Sequence, residues 1–194
     1  MTYNKKEVAW FYSKTNPRWE LSNMASGMPI YWPTEKLPEN LWYSSEQLYQ
    51  ASKYPTSLMY PQSPESKSDP CVRNRIRKDK NPRGAKITQQ SAADSGLIRS
   101  DWNEPEKVRL KAMLWVLELK LFWNPDTFGR VLKETGDLPI VEISSRDDYW
   151  GCRETINQQL VGQNYLGHLL MRVRTTMPSI LEGKFTFPDG HLLP

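Results

Sequence analysis

Seven consecutive residues, Arg146-Asp147-Asp148-Tyr149-Trp150-Gly151-Cys152, place two acids beside two large aromatics and a glycine, just after the apolar run Pro139 to Ile143. Aromatic faces hold flat rings, and carboxylates stabilise developing positive charge. A third acid, Glu46, stands in a separate segment, Ser44 to Tyr54. Together these residues carry the chemistry needed to cleave a bond between a sugar and a base. An acidic, aromatic loop after a strand also suits ordinary packing, although loops carry function disproportionately.

The elements that must position these groups follow from spacing and turn residues. Ser44 to Tyr54 reads as a helix with a capping box, Ser44 as N-cap and Gln47 at the third position, stopped by Pro55. Glu46 then sits at the second helical position, where the helix dipole favours a charged carboxylate. Acids are common in first turns for that reason alone. Lys53, seven residues on, falls on the same face roughly 10 Å along the axis, with Tyr49 and Gln50 between. Asn103-Glu104-Pro105-Glu106 starts a second helix that runs to Trp123 and stops at Asn124-Pro125. Its stripe Leu110, Met113, Leu114, Leu117 and Leu121 has helical spacing, and Trp115, Leu119 and Phe122 fill the other faces, which marks the central core helix. Asp126 to Thr135 is a shorter helix closed by Gly136. Asn164 to Met177 is a last amphipathic helix, and the tail from Pro178 is an extension without an assigned role. Strands are expected at Val8–Tyr12, Met28–Trp32 and Pro139–Ile143, the first two joined as a hairpin, and Thr56–Asp69 is expected to be a loop. The expected class is α+β: one helix-dominated domain, with a core about 10–176, a few short strands and a C-terminal extension over 178–194.

Bulk composition narrows the setting. At 194 residues the chain suits one domain with a sizeable core. Its 25% charged residues are those of a folded globular chain rather than a disordered one. The net charge of +4 biases it toward anionic partners. The N-terminus lacks the apolar stretch of a signal peptide, and no run approaches the roughly 18 apolar residues of a membrane span, so a cytoplasmic protein is expected. Two unclustered cysteines fit a reducing compartment, and two histidines make a His-based metal site improbable. No metal or cofactor is expected. Arg73, Arg75, Arg77, Lys78, Lys80, Arg83 and Lys86 form a basic block opposed only by Asp79. It suits a solvated face, or contacts to phosphates. No aromatics interleave it to make a stacking platform.

Three stretches, read in order, resemble one family. They are Ser44-Ser45-Glu46-Gln47-Leu48-Tyr49-Gln50-Ala51-Ser52-Lys53-Tyr54, Asp147-Asp148-Tyr149-Trp150-Gly151, and Gly162-Gln163-Asn164-Tyr165-Leu166-Gly167-His168-Leu169-Leu170-Met171-Arg172-Val173-Arg174. The order and spacing are similar to the NADAR superfamily, which includes the YbiA-like N-glycosidases. Leu21-Ser22-Asn23-Met24, Arg99-Ser100-Asp101-Trp102, Thr135-Gly136-Asp137 and Val141-Glu142 are supporting matches. The chain departs from the pattern at Ser44 and at Gln47, where the family has Thr and His, and in a longer, more basic segment from Thr56 to Lys80. Gln47 cannot carry a proton.

The resemblance implies catalytic roles for Glu46, Asp147 and Lys53. Glu46 would stabilise an oxocarbenium-like transition state or orient water. Asp147, with Asp148 as its rival, would bind ribose hydroxyls or share the acid–base work. Lys53 would pair with a phosphate or take part in a covalent amine step. Trp102 and Trp150 would stack on a base, Gly151 would admit a ligand close to the backbone, and Asn164 would cap the last helix or present its N–H groups to a phosphate. Tyr49, Asn23 and Arg83 complete the expected substrate contacts. The implied substrate is ADP-ribose on guanine, as a nucleotide or in nucleic acid, with an ADP-ribosyltransferase toxin as partner if the protein is an antitoxin. A phosphorylated riboflavin-pathway intermediate is the alternative. The rivals from other classes are a non-catalytic NAD or ADP-ribose binding module and a plain nucleic-acid binder.

Overall fold

The apolar stripe from Leu110 to Leu121 becomes the centre of the molecule. A computed structural model describes residues 1–32, 36–54, 72–94, 96–103 and 108–186. In chain order its strands are Thr2–Asn4 (β1), Ala9–Phe11 (β2), Ile30–Tyr31 (β3), Leu41–Trp42 (β4), Ile140–Glu142 (β5), Arg153–Glu154 (β6) and Gln159–Val161 (β7). Its α-helices are Ser45–Ala51 (α1), Val72–Lys78 (α2), Pro82–Asp94 (α3), Val108–Trp123 (α4), Arg130–Glu134 (α5) and Tyr165–Leu181 (α6). The class is helix-rich α+β, as the residue pattern predicts.

Every residue of α4 from Ala112 to Leu121 is buried. This includes Glu118 and Lys120, which burial permits only because both are satisfied. Lys120 Nζ donates to the carbonyls of Glu20 and Ser22 at 2.7 and 2.9 Å. Glu118 accepts from Thr186 N and Oγ1 at 2.6 and 2.8 Å. The helix stops where predicted. Pro125 has no N–H with which to extend the ladder, and Asn124 Nδ2 closes the end on the Lys120 carbonyl. A π-turn over Pro125–Gly129 then leads into α5, and Gly136 (φ 54°) ends it. The expected start of α4 lies partly outside the described residues, as does the expected loop at 56–69.

Helix α6 lies along α4 and against β5. Gly167 makes that approach possible. A Cβ there would stand 2.0 Å from the Ile140 carbonyl oxygen and under 3 Å from the Asn164 side chain. Gly167→Ala is expected to lower stability by about 3 kcal/mol, the upper part of the overpacking range, because backbone on both sides must shift. Urea denaturation measures this, and a loss under about 1 kcal/mol would refute the close-approach account.

Several expectations are corrected. The strands at 9–11 and 30–31 do not form a hairpin: β2 pairs in parallel with β5, and β3 pairs antiparallel with β4. Such short strands carry little register information of their own, so distant burial decides their partners. Helix α1 ends at Ala51 rather than Tyr54. The basic block is neither loop nor one solvated face. It spans α2 and α3, whose apolar sides bury Val72, Ile76, Ala85 and Ala92. The last helix does not end at Met177 but runs through exposed Pro178 to Leu181, carried on by burial of Ile180. Thr186, in the supposed roleless extension, is tied to the core helix through Glu118. The sequence pattern did not mark β1, β4, β6 or β7. No helix of the described residues is long and apolar enough to cross a membrane.

Candidate active site

A cleft of about 410 Å³ opens where α1, α3, α4 and the ends of β5 and its following loop meet. Glu46, Glu142 and Asp147 all line it. Tyr49, Trp102 and Trp150 form an aromatic wall, and Lys53, Lys86 and Arg109 are its cations.

Glu46 is placed by local helix chemistry. Ser44 Oγ accepts from Gln47 N at 3.3 Å, which fixes the first turn of α1. Within that turn the Glu46 carboxylate accepts from Gln50 Nε2 at 2.6 Å and from Asn23 Nδ2 at 3.3 Å. Asn23 also accepts Glu46 N on its own carbonyl at 3.2 Å. Asn23 is therefore a cleft residue whose amide orients the carboxylate. The buried Lys120 holds the carbonyls immediately before it, so the core helix sets the position of this loop.

Gln47 faces away from the cleft. Its Nε2 meets the carbonyls of Ile76, Arg77 and Asp79, closing the C-terminal end of α2, and its Oε1 accepts from Tyr43 N. Gln47 thus joins α1 to the end of α2, and it is not among the residues that line the cleft.

Asp147 has two uses. Its Oδ1 accepts from Tyr149 N and Trp150 N, each at 2.9 Å, and so shapes the turn that presents Trp150. Trp150 packs edge-on to Tyr49 with centroids 5.7 Å apart, and Tyr49 tilts against Trp102 at 5.4 Å. Trp102 is only 4% exposed and serves mainly as backing, whereas half-buried Trp150 offers a face. Asp148 does not line the cleft and pairs with Arg153 at 3.2 Å.

The residue that sequence reasoning undervalued is Glu142. Burial, then the Asp147 and Glu46 carboxylates, push it up to about 8. It is a carboxylic acid held mostly protonated at neutral pH beside two other carboxyl groups. A lone acid ending an apolar strand was the available signal. Lys53 moves the other way, down to about 8, because burial outweighs the pull of Glu46 and Lys86 adds repulsion. Its ammonium lies 5.8 and 5.9 Å from the centroids of Tyr49 and Trp102. Burial raises Tyr49 well above its usual range, so it stays a neutral phenol. Arg109, also unmarked by sequence, sits 4.0 Å over the Tyr149 ring. Cys152 is buried and pushed up to about 11, which makes it an unreactive thiol.

Three expected ligand contacts are corrected. Gly151 does not line the cleft, and its missing side chain serves a close approach of protein backbone: a Cβ there would meet the Glu142 carbonyl oxygen at 2.6 Å. Asn164 is fully buried and makes no side-chain cap. Its Nδ2 donates to the Ile140 carbonyl at 2.8 Å and its Oδ1 accepts from Glu142 N at 3.3 Å, so it positions the strand that carries Glu142. The N–H groups of residues 163–166 are bonded to the carbonyls of Asp148, Gly151, Tyr149 and Trp150, which leaves none of them for a phosphate. Arg83 lies outside the cleft and lines a neighbouring cavity, while Lys86 of the same basic block reaches the cleft. Among the described residues no three His, Cys, Asp or Glu side chains converge to hold a metal ion.

Comparison with known proteins shows what the chain is similar to as a whole. The chain is 29% identical over 160 residues to a riboflavin biosynthesis protein PYRR, chloroplastic, of Zea mays, covering 79% of this chain and 23% of that protein. It is 34% identical over 85 residues to an N-glycosidase of Nostoc punctiforme, covering 44% of this chain and 49% of the relative. The chain thus spans no more than about half the length of these relatives. The solution structure of the Escherichia coli protein YbiA superposes with a TM-score of 0.61 over 94% of this chain and 92% of that one, at 22% identity, which shows a shared fold. The profile of the NADAR domain matches residues 10–178, and so takes in both the acid cleft and the helices that build it. The chain belongs to the NADAR domain family.

Proposed function

We propose that this protein is an N-glycosidase that hydrolyses the bond between a ribose phosphate and a base, with ADP-ribosylated guanine as the preferred substrate. The observation that carries the reading is the trio of carboxyl groups in one aromatic-walled cleft, with Glu142 pushed up to about 8 while two acids flank it. Environments that separate the behaviour of neighbouring acids are how one site runs acid and base chemistry together.

In this mechanism Trp150 and Tyr49 hold the base. The Glu142 carboxyl gives its proton to the base nitrogen as the C1′–N bond breaks and the electron pair leaves with the base. The Glu46 carboxylate stabilises the oxocarbenium-like ribose. Asp147, whose Oδ2 has no hydrogen-bond partner among the described residues, orients the water that adds to C1′ and takes its proton. Lys53 pairs with the phosphate.

ADP-ribosylguanine is favoured because three cations, Lys53, Lys86 and Arg109, line the cleft, which suits a diphosphate. A phosphorylated riboflavin-pathway intermediate is the second reading, supported by the name of the Zea mays relative. The binding-module reading loses its main support, since Gln47 lies away from the acids. Incubating the purified protein with guanine-ADP-ribosylated DNA is expected to release free ADP-ribose, detected by mass spectrometry. If intact protein released none, while cleaving a ribosylamino pyrimidine phosphate, the second reading would replace the first.

A further inference from the structure

A second cavity, of about 760 Å³, lies beside the acid cleft, and Met24 lines both. Its walls come from the loop after β2 and from the corner between α2 and α3. Three cations, Lys14, Lys80 and Arg83, line it, and no carboxylate does. Among the described residues none of the three is ion-paired. The nearest acid in sequence, Asp79, is turned toward α3, where its Oδ2 accepts from Thr88 Oγ1 at 2.6 Å. Tyr12, 49% exposed, and half-buried Trp19 also line it.

Lys80 has a packing partner, its ammonium lying 5.8 Å from the Tyr43 ring centroid, but among the described residues no ion pair or ring contact holds Lys14 or Arg83. Three like charges around one hollow repel, and an exposed aromatic ring gains nothing from water. A phosphate among the cations and a flat base against the ring would satisfy both. We propose that this cavity is a nucleotide site, in which Lys14, Lys80 and Arg83 hold a phosphate and Tyr12 with Trp19 stacks a base. Met24, shared by the two hollows, makes the bound nucleotide a unit joined through phosphate to the group in the acid cleft. This linkage rests on the glycosidase reading, but the nucleotide site itself does not. The unit comes from one of two sources, the second half of a dinucleotide-like substrate or the next residue of a nucleic-acid strand.

Isothermal titration of the full chain with AMP, and separately with a single-stranded trinucleotide, tests the proposal. Lys14, Arg83 and Tyr12 are exposed, so Lys14→Glu, Arg83→Glu and Tyr12→Ala are expected to fold, which circular dichroism checks. Saturable AMP binding is expected, weakened roughly tenfold or more by either charge reversal, the size of one charge-assisted hydrogen bond. Tyr12→Ala is expected to weaken AMP binding more than it weakens ribose 5-phosphate binding. AMP affinity should survive Glu46→Gln, since the two sites are separate. A trinucleotide bound tenfold tighter than AMP assigns the site to a strand, and equal affinity assigns it to a single joined nucleotide. Absence of binding by both probes, or affinities that all three cavity substitutions leave within twofold, would overturn the proposal. Failure of the protein to release any base would remove the glycosidase reading without touching these affinities.

Discussion

Glu46→Gln is expected to lower kcat by roughly 10²–10⁴-fold, with KM little changed. Glutamine keeps the shape of the side chain and removes the charge that faces the developing oxocarbenium ion. The cost to the fold should be modest. In the native site both carboxylate oxygens accept amide N–H groups, from Gln50 and from Asn23. Glutamine turns one of those acceptors into a donor, so one buried pair becomes donor against donor, worth about 1–3 kcal/mol. Steady-state kinetics beside a thermal melt separates the two effects. A variant that melts within a few degrees of the wild type and keeps kcat within tenfold would remove Glu46 from the chemistry.

The second large effect concerns Glu142 and pH. Its carboxyl is pushed up to about 8 from an ordinary value of 4.5. If it supplies the proton to the leaving base, kcat should hold across neutral pH and fall tenfold per pH unit once the pH passes about 8. Glu142→Gln should lower kcat by roughly 10²–10⁴-fold, because glutamine has no proton to give, and should reduce the alkaline limb to the part that Lys53, pushed down to about 8, contributes. A flat profile to pH 10 in the wild type, or an unchanged limb in the variant, would contradict the assignment.

Stability carries the same signature with a definite sign. The folded state holds this proton more tightly than the unfolded one, so the contribution of Glu142 is full below pH about 4.5 and is lost as pH rises to about 8. Lys120 and Lys53 act in the opposite sense. Burial lowers them to about 7 and about 8 from 10.5, so the fold gains stability from them as pH rises through those values toward 10.5. Across pH 5–6.5, below the range in which the two lysines contribute, the melting temperature of Glu142→Gln should therefore vary less with pH than that of the wild type.

What the sequence determined by itself is local in its physics. The stripe of α4, its stop at Asn124-Pro125, the Ser44 cap and the helical position of Glu46 depend on residues a turn or two apart, so spacing suffices to read them. Motif order likewise pointed to the family. Spacing could not tell what each motif residue touches. Gly151 and Asn164 look like ligand contacts in a motif, yet one lets two backbones meet and the other holds the strand of Glu142. Arg83 and Lys86 are three residues apart in one basic block, and the turn of α3 sends them to different cavities. Glu142 was overlooked because its acidity is not a property of its own segment. It arises where a buried strand end meets carboxylates from α1 and from the loop at 147, and that low-dielectric meeting of like charges exists only in the tertiary structure.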